Sequence, residues 1–178
     1  MATEKEILKT MNDSPEQGFR MLMATYKESI YWHIRRLVVS HDDAQDAVQE
    51  TFVRVFRSLS QFGGKGSLAA WIYRIATHEA LRIRSRHPEE LLPLEQEDIA
   101  IGSLRADSYV DYSDLEAVRL QNAILSLPAK QQVVFNLRYY DEMGYEEIAE
   151  VTGSTAAAAK ANFYLAKEKI IAYIHSHD

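Results

Sequence analysis

Residues 145–152, "YEEIAEVT", and 153–170, "GSTAAAAKANFYLAKEKI", decide how the C-terminal half of this chain folds. They predict a helix, a glycine turn and a second helix, the outline of a helix-turn-helix. In such a motif the start of the second helix meets base edges in the DNA major groove. Here that start is a run of four alanines, Ala156 to Ala159. On a helical wheel Ala156, Ala159, Phe163, Ala166, Ile170 and Tyr173 form one buried stripe. The groove-facing positions are then Thr155, Ala157, Ala158, Ala161, Asn162 and Leu165. Bidentate base contacts come from Arg, Lys, Asn and Gln, and on this face only Asn162 qualifies. Ala158 can touch a thymine methyl, while Lys160, Lys167 and Lys169 can meet phosphates, which position without specifying.

Outward from this motif the chain reads as helical throughout. Phe19, Leu22, Met23, Tyr26, Ile30, Ile34 and Leu37 recur at steps of three and four, the period of one helix face. After "SHDD", whose Ser and Asp residues are good N-caps, the period resumes from Ala44 to Leu59. "QFGGKGS" breaks it. A third helix runs from Leu68 through Ile83, and Pro88 forbids its continuation. Residues 87–113, with Pro88, Pro93 and Gly102, read as a linker with little fixed structure. A second helical unit begins near Asp114, with Pro128 at another helix start. The expected fold is all-α, with two small helical domains joined by an acidic flexible linker.

The 178 residues carry no cysteine, which removes disulfides and thiolate metal sites. No apolar run reaches the roughly 18–20 residues that span a bilayer. Residues 1–13 have no apolar signal core, so the expected compartment is cytoplasmic. The net charge of −6 is unevenly spread. Residues 54–86 hold seven basic residues against Glu79 alone, whereas residues 87–117 hold nine acidic residues against Arg105. A basic block beside an acidic connector points to polyanion contact in one place.

Within the basic block, Trp71, Arg74, His78 and Arg82 share one stripe of the third helix. An aromatic with cations on one face can stack an unpaired base and neutralise phosphates. The plainer reading is a solvated face with Trp71 tucked into the core; the glycine loop and local charge favour nucleic acid. "GGKGS" lacks the spacing of a phosphate loop and follows a helix, so it reads as an inter-helix loop. His41, Asp42 and Asp43 sit at a helix start, where Asp complements the dipole rather than a metal. Glu146, Glu147 and Glu150 read as a solvated acidic face. No nucleophile–base constellation suggests an enzyme, and no cofactor site is expected.

"DDAQDAVQETFVRVFRSLSQF", "AAWIYRIATHEAL" and "LPAKQQVVFNLRYYDEMGYEEIAEVTG" together resemble the extracytoplasmic-function (ECF) sigma factors, initiation subunits of bacterial RNA polymerase, in a Bacteroidetes-like flavour. The resemblance covers roughly residues 19–86 and 114–174 in family order. It implies sigma region 2 over 1–86, an acidic linker over 87–113 and sigma region 4 over 114–178. By that resemblance Asp46, Gln49, Glu50, Phe52, Val53 and Phe56 dock on the polymerase β′ clamp. Phe62, Lys65, Ser67, Trp71, Arg74, His78 and Arg82 melt and hold the −10 element. Ser154, Thr155, Ala158, Lys160, Asn162 and Lys167 read the −35 element while the domain rests on the β flap. The linker threads towards the polymerase channels, and an anti-sigma factor holds many free members.

Departures from the family pattern cluster where DNA is expected. Gly63 replaces a common basic residue, and Leu68-Ala69-Ala70 stands before Trp71 where an aromatic, a cation and Thr are usual. His78 replaces Asn, Ala159 a branched aliphatic, and Leu165 an Arg or His. Two explanations stay open. One is drift within the family. The other is weakened −35 reading, with placement by a DNA-bound partner such as an RNA-guided, nuclease-dead CRISPR-type effector. The rival assignment is a stand-alone helix-turn-helix regulator.

Overall fold

The computed structural model describes residues 1–38, 40–64, 66–86 and 114–177. The expected linker, residues 87–113, and the candidate Lys65 lie outside the described residues.

The N-terminal unit is built on four helices. Helix α1 (Glu4–Asp13) starts at Thr3, whose hydroxyl accepts from the Glu6 amide while the Glu6 carboxylate accepts from the Thr3 amide. That reciprocal capping box satisfies two of the amides a helix start leaves unpaired. Helix α2 (Pro15–Leu37) has Ser14 as N-cap and Pro15 in its first turn. Helix α3 (His41–Ser58) is capped by Ser40, with Asp42 and Asp43 in its first turn, as the dipole favours. A short 3-10 turn (Leu59–Gln61) leads through the glycine loop to α4 (Leu68–Arg84), capped by Ser67. The sequence period began at Phe19 and missed α1. Ile7 and Met11 bury α1 against α2, and a close approach makes this possible: a Cβ on Gly18 would come within 2.7 Å of the Met11 backbone.

The C-terminal unit comprises α5 (Leu115–Leu125), α6 (Ala129–Tyr139), α7 (Tyr145–Thr152) and α8 (Ala156–Ser176). The Asp114 carboxylate accepts from the amides of Glu116 and Ala117 to start α5. Gly153 ends α7 in the left-handed region at φ 66°, a conformation glycine adopts without Cβ strain. The chain then re-enters a helix at Thr155, whose hydroxyl accepts from the Ala158 amide at 3.1 Å. The expected helix-turn-helix is therefore α7, Gly153–Thr155 and α8. Ala159, Ala166 and Ile170 are buried and Phe163 half-buried, as the wheel requires.

The sequence separates two units, and the structure packs them together. One buried cluster runs from Leu22, Ile34, Phe52 and Ile72 of the first unit into Val134, Leu137, Ile148 and Val151 of the second. Burying a Leu, Ile or Val side chain contributes about 1.5–3 kcal/mol. A smaller cluster of Ala123, Ile124, Leu127, Phe135, Ala166 and Ile170 holds α5, α6 and α8 to one another. Polar groups also cross the interface. Arg84 Nη1 donates to Gln132 Oε1 at 2.7 Å, the Tyr73 hydroxyl donates to Asp141 at 2.9 Å, and the Arg36 guanidinium lies 4.2 Å from the Tyr140 ring centre.

Candidate functional site

Three surfaces carry the candidate residues. The first is a groove of about 1350 Å³ between α2 and α3. Its wall on α3 includes Val48, Gln49, Phe52, Val53 and Phe56, and Phe19 and Met23 face them from α2. Phe56 is 56% exposed yet packs edge-on to Phe19, ring centres 5.1 Å apart. Leaving large apolar rings in water is unfavourable, and an exposed apolar groove marks a place for a partner. Phe52 is 4% exposed, so it forms the floor of this groove rather than a free contact. Asp46 and Gln49 are exposed and Glu50 half-buried on the neighbouring turns, which gives the apolar groove an acidic rim. Phe19 and Met23 share the helical period of α2, and nothing in that period distinguishes a groove wall from a core position.

The second surface is α4 and the loop before it. Phe62 and Trp71 are half-buried with their rings 5.3 Å apart, so Trp71 leans on the loop. Arg74 and His78 are exposed one and two turns further on. Arg82 is not free: its Nε and Nη2 both donate to Glu79 Oε2, at 3.0 and 2.8 Å. Glu79 is 4% exposed and takes a second cation, Arg54 Nε, at 2.7 Å on its other oxygen. A buried carboxylate needs such pairing, and Arg82 is fixed by it at one edge of the stripe. Ser67 caps α4 through Ala70 and also meets carboxylates from elsewhere. Its amide donates to Glu150 Oε2 at 3.2 Å, and its hydroxyl to Glu4 Oε1 at 3.2 Å and Glu147 Oε2 at 3.5 Å. The acidic face of α7, expected to be solvated, thus turns Glu147 and Glu150 towards Ser67. Side chains brought together across 80 or more residues leave no trace in local sequence.

The third surface is the start of α8. Thr155 is engaged in capping, and the Ser154 hydroxyl pairs with Thr152 at 2.8 Å. Lys160 and Lys167 are exposed, Ala158 and Asn162 half-buried. Ala157 and Ala161 are exposed, as is Leu165 at 47%, so the outward face of this helix is apolar over three turns.

No group of three or more His, Asp or Glu suited to a metal occurs among the described residues. No described helix is long and apolar enough to cross a membrane.

Comparison with known proteins agrees with this layout. The Sigma-70 region 2 family matches residues 22–87, and the Sigma-70 region 4 family matches residues 117–170. The ECF RNA polymerase sigma-E factor of Haemophilus influenzae is 25% identical over 177 residues, covering 94% of this chain and 93% of that one. The ECF RNA polymerase sigma factor SigW of Bacillus subtilis is 27% identical, covering 93% and 94%. Among solved structures, CnrH in complex with the cytosolic domain of CnrY superposes with a TM-score of 0.72 at 19% identity, over 97% of both chains. The sigma factor RpoE of Bartonella quintana, solved with the anti-sigma factor NepR, gives 0.65 at 20% identity, over 88% of this chain and 96% of that one. Paired regions 2 and 4 define a sigma-70-type initiation factor. Within that class, the chain belongs to the ECF sigma factors.

Proposed function

We propose that this chain binds core RNA polymerase through the α2–α3 groove and then directs promoter recognition and opening, acting as an initiation subunit in the cytoplasm and not as an enzyme. The observation that carries this reading is the groove itself, an exposed apolar channel rimmed by Asp46, Gln49 and Glu50. That chemistry suits a helical, partly basic partner surface, which the β′ clamp supplies. Region 2 spans residues 1–86, the acidic linker 87–113, and region 4 residues 114–178. Trp71, Arg74 and His78, with the loop residues Phe62, Lys65 and Ser67, hold the melted −10 strand. Arg82 sets the edge of that stripe. Ser154, Thr155, Ala158, Lys160, Asn162 and Lys167 face the −35 element while region 4 rests on the β flap. Co-purification of the full chain with core polymerase tests the reading, and failure to bind core would overturn it. A stand-alone helix-turn-helix regulator would instead bind duplex DNA without polymerase.

One observation favours a second reading of region 4. The outward face of α8 offers Ala157, Ala161 and Leu165, with Tyr164 and Ile171 also exposed, where base readers need donors. Such a face suits protein contact better than base readout. In this reading a DNA-bound recruiter, such as an RNA-guided, nuclease-dead CRISPR-type effector, places the factor, and guide pairing supplies sequence choice. The drift explanation, a Bacteroidetes-like family habit of small residues here, needs no recruiter. Selection from a random promoter library with polymerase and this protein alone separates the two. A sharp bipartite motif would refute recruitment. An anti-sigma factor is a further expected partner of the free protein.

A further inference from the structure

Region 4 lies against the same face of α4 that the proposed function gives to DNA. Helix α7 runs along it with matched polarity. At one end Glu147 and Glu150 accept from Ser67, and Glu4 of α1 accepts from Ser67 and from the Ala69 amide at 2.9 Å. At the other end Arg74 reaches the close of α7, its Nη2 only 3.7 Å from where a Cβ on Gly153 would stand. A cation at a helix C-terminus and carboxylates at a helix N-terminus are each favoured by the helix dipoles. Carboxylates from α1 and α7 therefore meet the first amides of α4, and α7 engages the cation Arg74.

The interface is also built to part. Gln132 Nε2, both amide atoms of Asn136, Asp141 Oδ2 and His33 Nδ1 are buried with no hydrogen-bond partner among the described residues. Each unsatisfied buried polar group costs about 1–3 kcal/mol. Water would satisfy them when the domains separate, so apolar burial holds the closed form while its polar groups favour opening. The α2–α3 groove lies away from this interface, with its lining drawn from α2 and α3 alone.

We infer that the packed pairing of the two domains is a self-masking state, in which Glu147 and Glu150 of α7, with Glu4 of α1, clasp the start of α4 and cover its nucleic-acid face. The masking rests on the proposed role of α4; the clasp does not. Because the groove stays open in the closed form, polymerase docks first and exposure of α4 follows. An unengaged factor is thus kept from single-stranded nucleic acid by its own region 4.

The chain has no cysteine, so two introduced ones label it uniquely. Gln17→Cys and Glu168→Cys lie on exposed positions of α2 and α8 and report domain separation by energy transfer. Replacing Glu147 and Glu150 together by Ala keeps α7 helical and removes the clasp. Transfer is expected to fall in that variant, and a fluorescent single-stranded DNA oligonucleotide is expected to bind about tenfold more tightly than to the parent. Adding Arg74→Ala should abolish that gain. Asp141→Asn, which adds a donor inside the interface, should hold transfer at or above the parent value. Unchanged transfer in the Glu147/Glu150 variant would overturn the clasp. A fall in transfer with no oligonucleotide binding by either chain would leave the clasp standing and overturn the nucleic-acid role of α4.

Discussion

The Tyr73 hydroxyl on α4 donates a 2.9 Å hydrogen bond to Asp141 Oδ1, joining region 2 to region 4. The other oxygen, Oδ2, is buried without a partner and stands 3.9 Å from His33 Nδ1. The tautomer of His33 follows from its neighbours. Thr77 donates its hydroxyl to the Tyr73 carbonyl at 2.7 Å, so it accepts from His33 Nε2, also at 2.7 Å. Nδ1 is then a bare acceptor facing a carboxylate oxygen. Two acceptors face one another with no donor between them. Burial pushes Asp141 up from 3.8 to about 6, outweighing its bond to Tyr73 and the nearby Arg36. Burial, with Arg36 second, lowers His33 from 6.5 to about 3.

Asp141→Asn should therefore stabilise the protein. Its amide accepts from Tyr73 through Oδ1 and turns a donor towards His33 Nδ1. For a carboxyl whose folded pKa is raised, the stabilisation tied to its proton is complete below 3.8 and is lost as pH rises through about 6. The amide carries a fixed equivalent of that proton. Its advantage is thus absent near pH 4 and complete above pH 6, at about 1–3 kcal/mol near neutrality. His33 acts in the opposite sense, its neutral form stabilising above 6.5 and failing as pH falls towards 3. That contribution is common to both chains and cancels. Urea unfolding of the two proteins at pH 4.5, 6 and 7.5 measures the difference, and a gain independent of pH would contradict the proton argument.

Glu79→Gln should destabilise region 2 by about 3 kcal/mol, because breaking a buried ion pair leaves its partners uncompensated. Arg54 and Arg82 both depend on this one carboxylate. Arg82→Ala should cost less, since that side chain is 42% exposed and Arg54 remains to pair Glu79. Chemical denaturation of both variants gives the order directly. If Arg82→Ala were the worse of the two, Glu79 would not be the hub.

Gly18→Ala should undock α1. A Cβ at this position would lie 2.7 Å from the Met11 backbone, and backbone cannot swing aside as a side-chain tip can. The expected loss is about 1–3 kcal/mol, with protection of the α1 amides falling most. Hydrogen exchange that left α1 as protected as in the parent would show that the helices can shift without separating.

Local chemistry explains which parts of this molecule were legible in its sequence. Ser40, Ser67, Asp114 and Thr155 cap the helices expected to start there, and the wheel of α8 separated Ala159 and Ala166 from Ala157 and Ala161. These depend on neighbours within a turn or two. Helix α1 was legible in principle from Thr3, Glu6 and Ile7, but its short period gave no hint of where it docks. The pairing of the two units was not legible at all. It arises from Tyr73 with Asp141 and Ser67 with Glu150, partners 68 and 83 residues apart. Tethered charges read as solvated when their partners are unknown. For the same reason, Arg82 read as a free cation and proved to be held by Glu79.

Glu50→Ala and Phe56→Ala should each weaken binding to core polymerase while leaving the fold intact. Phe56 is 56% exposed, so its removal forfeits contact with a partner more than with the core, and a loss of about tenfold in affinity is expected for a buried aromatic anchor. Glu50 is half-buried, 3.3 Å from Arg54, an i,i+4 pair of small intrinsic worth. Its loss should appear in binding rather than in melting temperature. Titration of labelled chain with core enzyme measures the first, calorimetry the second. Parent-like affinity in both variants would move the polymerase contact away from this groove.

Trp71→Ala and Arg74→Ala should impair promoter opening more than holoenzyme assembly. Trp71 is half-buried against Phe62 and presents a ring edge for stacking an unpaired base, worth about 1–3 kcal/mol per base in such platforms. Arg74 is exposed one turn on, within reach of the strand that Trp71 would hold, and its loss should also reduce the salt dependence of opening. The two substitutions differ in their cost to the free protein. Truncating Trp71 removes packing against the loop and lowers stability, whereas truncating Arg74 releases only the end of α7. Arg74→Ala is therefore the cleaner probe. Permanganate reactivity of thymines in the −10 region, scored beside gel-shift of the holoenzyme, separates opening from assembly. If opening survives both substitutions, α4 is a structural face and the melted strand is held elsewhere.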